Sequence, residues 1–399
     1  MMRSLVLALF VVLPQPALAG KPIVVGNGTA ASCNETALKE ALLVVETIGG
    51  GTIRFKCGPA PVTIALSQVI DVADMLVLLV LPNNTTIDGG GLVALDGTGT
   101  ATVVFVEEGT TAALRGLTIA NGGTFASDGR ASGIVNFGAL TVSNSIVSGN
   151  LSLLAGGIFN SGALKINDSV VSNNHGFFLG GVVNLGTLTV HNTTFAANSG
   201  AFDGGAILNV GTVTIHDSAF SHNRTPDGTG GAILNVGTLT INHTTFSENQ
   251  ADAPFTGGGA IENFGTVEVN DSTFSQNSAT LAGGAIYNTG TLIINNSTLS
   301  DNGSSSFGGG GAVANFGTLN VSNSTFSDNA GGRGGGIFNA ATLTVKGSII
   351  THNTAFSGGG IYICVEGQFP PFPSPVPCHG TLSLKETTVT ENTPDDIFP

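Results

Sequence analysis

The sequence predicts an all-β chain: a single right-handed parallel β-helix with three strands and 24–28 residues per coil, covered at its start by an N-terminal capping helix. Three observations predict it. The first is a repeat, typified by residues 230–249, GGAILNVGTLTINHTTFSEN. Its first Asn recurs at Asn136, Asn160, Asn184, Asn209, Asn235, Asn263, Asn288, Asn315 and Asn339, and a second Asn follows each by fourteen residues, from Asn150 to Asn353. The return to the next first Asn varies from ten to fourteen residues, so all length variation sits in one connection, just before the paired glycines. A stack of coils behaves this way when one corner is free to bulge and the rest is held in register.

The second observation is apolar alternation with period two, the spacing of strands and not of helices. Ile233, then Leu239 with Ile241, then Phe246 mark three short strands, and Ile207, Val213, Ile215 and Phe220 repeat them one copy earlier. The third is punctuation. Asn-x-Gly closes the first strand, a pair of Asn, Asp or His residues the second, and Asn with Gly-rich sequence the third. A coil this small cannot bury enough apolar surface to stand alone. The copies must therefore pair backbone to backbone at the usual ~4.8 Å strand spacing, and parallel crossovers wind right-handed. Ladders of like residues agree: the position two before the Phe column is Ser or Thr from Ser145 to Thr387, and stacked Asn columns satisfy corner amides.

Taken in order, residues 1–19 read as a secretory signal peptide, with Arg3, an apolar core from Leu5 to Leu13 and Ala17-Leu18-Ala19 as the cleavage site. Residues 20–121 hold the cap helix and irregular first coils. Ser32 to Ile48 is the helix: Ser32-Cys33-Asn34-Glu35 fits a capping box, Ala37, Leu38, Ala41, Leu42 and Val45 share a face, and Gly49 to Gly51 stop it. Short apolar runs follow, among them Met75 to Leu81, too short to span a bilayer. Regular coils occupy 122–362. In 363–399 the constant segment lengthens to 29 residues around a Pro-rich insert bracketed by Cys364 and Cys378, before Thr381 to Leu384 resume the coil. An exported chain is free to form disulfides. No CxxC spacing accompanies the four cysteines, so proximity pairs Cys33 with Cys57 and Cys364 with Cys378.

Composition narrows the partners. Formal net charge is −14, and of twelve Lys and Arg only Arg3 lies in the signal peptide, leaving eleven with no cluster among them. Nucleic acid and anionic membrane are thereby disfavoured, and no transmembrane span is expected in the mature chain.

Two short motifs of the repeat, GGAI (204–207, 230–233, 283–286) and FxxN (195–198, 220–223, 246–249, 274–277, 326–329), resemble those of the chlamydial polymorphic outer-membrane proteins. The pattern is also similar to that of secreted bacterial right-handed parallel β-helix repeat proteins of the pectin-lyase-like superfold. The opening, Cys33 to Lys39 and Thr86 to Gly91, resembles their N-terminal part. The resemblance covers nearly all of the mature chain. It implies the fold, and through the polymorphic proteins it implies adhesion; the superfold itself hosts lyases, hydrolases, adhesins and proteins without assigned activity.

The outward position of the first strand reads Phe159, Val183, Leu208, Leu234, Glu262, Tyr287, Ala314, Phe338 and Tyr362. One carboxylate in nine makes no calcium site. If the column faces out, it is an apolar and partly aromatic stripe fit to bind sugar or protein, with Phe159, Tyr287, Phe338 and Tyr362 as contact residues; if variable loops fold over it, it is packing. Arg130, Arg224 and Arg333 are scattered in loops, as are Asp203, Asp227 and Asp252, the carboxylates a hydrolase could bring together. His191 and His216 stack on adjacent coils beside Asp217, a pattern that serves a metal or a solvated turn. Thr187 and Thr189, Thr212 and Thr214, then Thr238 and Thr240 look like the Thr-x-Thr array of ice-binding solenoids, interrupted at Glu268, Ile293 and Asn320. Asn-x-Ser/Thr triplets, as at Asn192, Asn242 and Asn323, arise from the repeat itself. No residue is assigned a catalytic or metal-binding role and no cofactor is expected. The reading is a secreted or cell-surface β-helix, leaning towards non-catalytic, that binds glycan or protein in adhesion or surface structure. The alternatives are a carbohydrate-active enzyme with its site in the variable loops and, more remotely, ice binding.

Overall fold

Each coil turns where the sequence supplies a residue tolerant of a left-handed backbone. Asn144, Asp168, Asn192, Asp217, His243, Asp271, Asn296 and Asn323 hold φ between 46° and 51° at one corner, and Asn and Asp adopt that conformation more readily than other side chains. The computed structural model describes residues 20–72, 74–124, 131–253, 257–305, 309–366 and 378–399. The signal peptide read at 1–19, Arg130, and the Pro-rich part of the insert at 367–377 lie outside these.

The chain is a right-handed parallel β-solenoid of about 13 turns. Three sheets build it, with 14, 25 and 8 strands among the described residues, the last confined to the coils between Gly123 and Ser304. In a regular coil the first sheet takes a three-residue strand such as Ile233–Asn235. The second takes a five-residue strand, Thr238–Asn242, and after the left-handed corner a three-residue strand, Thr245–Ser247. Equivalent strands pair in strict register: Ile233 lies beside Ile207 and Ile261, and Phe246 beside Phe220 and Phe274. A fourth strand of two residues, Gln250–Ala251 in this coil, builds the third sheet. The sequence hid it because two residues carry no alternation.

Inside the coil, Ile, Val, Leu and Phe side chains form one continuous buried core. Phe195, Phe220, Phe246 and Phe274 stack with ring centroids 4.6–4.8 Å apart and planes within 10°. Both Asn columns are buried ladders. In the first, each Nδ2 donates to the Oδ1 one coil on, at 2.7–2.9 Å from Asn136 to Asn339. The second runs from Asn150 to Asn392, where Asn392 Nδ2 donates to Asp396 Oδ1 at 3.0 Å. The Ser/Thr column is a third ladder; Ser272 N, for example, donates to Ser297 Oγ at 3.1 Å. Gly231 is needed where adjacent coils meet closely, because a Cβ there would run into the carbonyl oxygen of Gly259.

The cap helix, α1, spans Glu35–Thr47 and buries Leu38, Ala41, Leu42 and Val45. Its start corrects the capping-box reading. Asn34 is the N-cap, its Oδ1 accepting from Ala37 N at 3.1 Å, while Ser32 ends a preceding 3-10 turn. Glu35 does not reach back. It accepts from Ser67 N, Ser67 Oγ and Gln68 N and pairs with Lys39 Nζ at 3.0 Å, tying the helix to an early coil. Burial alone would raise its pKa, but these bonds outweigh that and hold the carboxyl below its ordinary value. Both disulfides form as paired in the sequence, Cys33–Cys57 and Cys364–Cys378. Met75–Val80 is a strand as expected, but it also pairs antiparallel with Ile70–Val72, a hairpin that interrupts the otherwise parallel coils.

Candidate functional site

The outward face of the first sheet is not solvent-exposed. Phe159, Val183, Leu234, Tyr287, Ala314, Phe338 and Tyr362 are all buried, and Leu208 partly so. The variable connections before the paired glycines fold over this face and build a second apolar layer outside the coil. One block gathers Ala131, Ala155 and Leu179 around Phe159 and Val183. Another gathers Ala282, Phe316 and the Cys364–Cys378 pair around Tyr287, Phe338 and Tyr362. The stripe of Phe159, Tyr287, Phe338 and Tyr362 expected to contact a ligand is therefore a packed layer. Covering large apolar side chains on a sheet face with connecting loops removes them from water, which is favourable.

Between the two blocks the layer turns polar. Glu262 sits in register between Leu234 and Tyr287, is only 1% exposed, and leaves Oε2 without a hydrogen-bond partner. Above it lie Thr229 and Asp203, paired with each other across adjacent coils. Burial pushes the Glu262 carboxyl up to about 7; the Asp203 charge adds to this and a hydrogen bond with the Thr229 side chain opposes it. Asp203 is likewise raised by burial. The Tyr287 phenol is raised by burial and by the neighbouring Glu262.

Beside this gap the loop layer carries exposed rings. Phe177, Phe178 and Phe202 are 52%, 43% and 40% exposed, with centroids 5.2–5.9 Å apart in edge and tilted contacts. Phe202 N donates to Phe178 O, and Thr229 N donates to Phe202 O at 3.1 Å, so the loops are themselves stacked. Phe202 directly precedes Asp203, which places the aromatic cluster at the edge of the polar gap. A second exposed apolar line, Leu185, Val210, Val236 and Phe264, follows the first Asn column. It lies two positions beyond the column singled out in the sequence. Sequence reasoning missed the cluster because Phe177, Phe178 and Phe202 belong to the connections, where no repeat fixes a direction. Their only signal was large apolar residues in segments of otherwise small and polar ones.

The other sequence candidates fall apart from this site. Asp252 is held by Arg224 at 2.7 Å and accepts from Gln250. His191 and His216 are in register, and His191 Nε2 meets Asp217 at 3.3 Å on the surface. Among the described residues no group of three or more His, Cys, Asp or Glu is arranged to hold a metal ion. Thr187, Thr212, Thr238, Thr266, Thr291, Thr318 and Thr342 form an unbroken column, but its partner column breaks at Glu268, Ile293 and Asn320. Arg333 lies over the Tyr362 ring at 5.6 Å. Clefts of about 440 and 410 Å³ lie at the N-terminal end, lined by residues such as Glu46, Asn83 and Glu107 in one and Lys21, Thr52 and Arg54 in the other, away from the polar gap. No described helix is long and apolar enough to cross a membrane.

Residues 206–368 match the family model of the right handed beta helix region. No curated protein matches the chain in sequence. Among solved structures it is similar to PfbA, a surface adhesin of Streptococcus pneumoniae, at 15% identity and TM-score 0.45 over 95% of this chain and 93% of that one. It is similar to the catalytic unit of a thermostable GH87 α-1,3-glucanase from Streptomyces thermodiastaticus, at 15% identity and TM-score 0.50 over 95% of this chain and 70% of that one. A third is the A-module of an Azotobacter vinelandii mannuronan C-5 epimerase, at 14% identity and TM-score 0.42 over 94% and 100% of the two chains. At such identities the likeness is one of fold. By its architecture throughout the chain has the fold of a right-handed parallel β-helix, and residues 206–368 also match the sequence model of that region.

Proposed function

We propose that the protein is an extracellular β-helix that binds a glycan through the loop layer of its first sheet, in adhesion or surface structure. The observation that carries this reading is the exposed cluster of Phe177, Phe178 and Phe202 on backbone-paired loops. Aromatic faces held in place offer apolar area to the C–H faces of sugar rings at little ordering cost, and the sparse charge of the chain suits a neutral partner. Two disulfides support an oxidising compartment, and the likeness of the GGAI and FxxN motifs to polymorphic outer-membrane repeats supports a place at the cell surface. The test is binding to a panel of neutral glycans. The triple change Phe177→Ala, Phe178→Ala, Phe202→Ala is expected to abolish binding while the fold persists. Failure of the intact protein to bind any glycan, or unchanged binding by the triple variant, would overturn the reading.

A second reading, a carbohydrate-active enzyme, is favoured by one observation: Glu262 and Asp203 are near enough for the charge of one to act on the other, beside the same aromatic cluster. A carboxyl that keeps its proton near neutrality is suited to general-acid work, and a second carboxylate to the complementary base or nucleophile role. Release of reducing ends from a bound polymer by the wild type, lost in Glu262→Gln, is the outcome this reading requires.

A further inference from the structure

In the column from Phe159 to Tyr362, Glu262 is the one ionisable carboxyl, and the fold closes over it. Its strand neighbours are Leu234 on one side and the Tyr287 phenol on the other. Besides burial, only Thr229, which favours the charged form, and the Asp203 charge, which opposes it, act on the carboxyl, and among the described residues no cation does. Asp203 and Thr229 are bridged to each other and belong to backbone-paired loops: Asp203 N donates to Phe178 O, Gly204 N to Thr229 O, and Thr229 N to Phe202 O. One stacked piece of loop therefore covers a carboxyl whose Oε2 has no partner. Ionised, that carboxyl would be stripped of water and set against a second acid; neutral, it loses far less. We propose that the Glu262 proton latches these loops. The closed layer holds the neutral acid, and loss of the proton opens the loops carrying Asp203 and Thr229, letting water reach the carboxylate.

The direction follows from linkage. In the open form Glu262 titrates near its ordinary 4.5, and in the closed form near 7. Below 4.5 both forms carry the proton and the latch is at full strength. As pH rises from 4.5 towards 7 the open form releases its proton while the closed form keeps it, so opening gains up to about tenfold per pH unit. Above about 7 the closed form ionises as well and the gain levels off. The Tyr287 phenol, raised by burial, stays neutral across this window.

Hydrogen exchange tests the latch in the full chain. Protection of the Asp203, Gly204, Asp227 and Thr229 amides, relative to unstructured rates, is expected to fall by about 100-fold between pH 5 and pH 8. Strand amides far from the site, such as Val142 and Val345, are expected to hold theirs. In Glu262→Gln, which mimics the neutral acid, loop protection is expected to be flat with pH. The same fall in wild type and Glu262→Gln, or no fall in wild type, would overturn the latch. Asp203→Asn supplies an independent arm: removing the repelling charge is expected to shrink the fall, and a fall of unchanged size counts against the proposal even if the Gln variant does not fold.

Discussion

At the residue scale, the solenoid relies on buried amides that have no solvent to fall back on. Asn235 Nδ2 donates to Asn263 Oδ1 at 2.9 Å and to two backbone carbonyls, and its own Oδ1 accepts from Asn209. Asn235→Ala strands those partners inside the protein. A loss of about 2–4 kcal/mol is expected, read as a lower urea midpoint with unchanged slope. Phe246→Ala removes a ring stacked on both sides and is expected to cost about 3–5 kcal/mol. Phe338→Ala is expected to behave like Phe246→Ala and to leave glycan binding intact, because Phe338 is packed beneath loops. This last comparison separates the packed rings from the exposed cluster. These columns were legible in the sequence because every copy repeats them. The Glu262 environment was not, since which loop lies over a given side chain depends on packing between connections of unequal length.

At the element scale, strands and corners were read from alternation and Asn spacing, and the structure adds a physical qualification. Corners before the second Asn hold φ of 52–57° at residues as varied as Ala197, His222, Glu248, Gln276 and Asp301. Ala, Glu and Gln have no local preference for that backbone. What fixes it is the neighbouring coil: Ala197 N donates to Ser221 O at 3.0 Å and Glu248 N to Ser275 O at 3.2 Å. Register there overrides propensity, and no reading of single residues would find it. The helix shows the same limit, because Glu35 satisfies a sequence pattern for capping and is used to fasten α1 to Ser67 and Gln68. Its carboxyl is held below the ordinary 4.5, so its contribution is complete above that value and is lost as pH falls through the lower, folded-state pKa. Wild type is expected to release α1 on acidification, followed by circular dichroism. Glu35→Gln is expected to be weaker at neutral pH and to lack that acid-dependent loss. Asn34→Ala is expected to cost about 1 kcal/mol at any pH.

At the scale of the whole molecule, long connections on one side and constant ones on the other divide the labour. The constant side sets the spacing of coils, and the variable side wraps the first sheet in a second apolar layer and carries the exposed rings. Stability is expected to be nearest-neighbour in character, as stacked repeats give. The two disulfides lie at opposite ends, Cys33–Cys57 beside the cap helix and Cys364–Cys378 beside the last coils. Reduction is therefore expected to fray the ends first. Faster exchange in Leu38 and Ile363 than in Ile241 after reduction would report this, and uniform loss across all three would contradict it.

The amide ladders have a direction, and that has a consequence for how such a molecule changes length. Every link in the first column offers hydrogen towards the C-terminus and oxygen towards the N-terminus, so Asn136 Oδ1 is left over at one extremity. In the second column a carboxylate, Asp396, receives the final hydrogen. Any whole unit carrying both Asn residues can be spliced into the interior with its polarity matching above and below, as an identical bead fits anywhere on a string threaded one way. Insertion of a duplicated coil is thus expected to preserve both amide ladders in the middle of the rod.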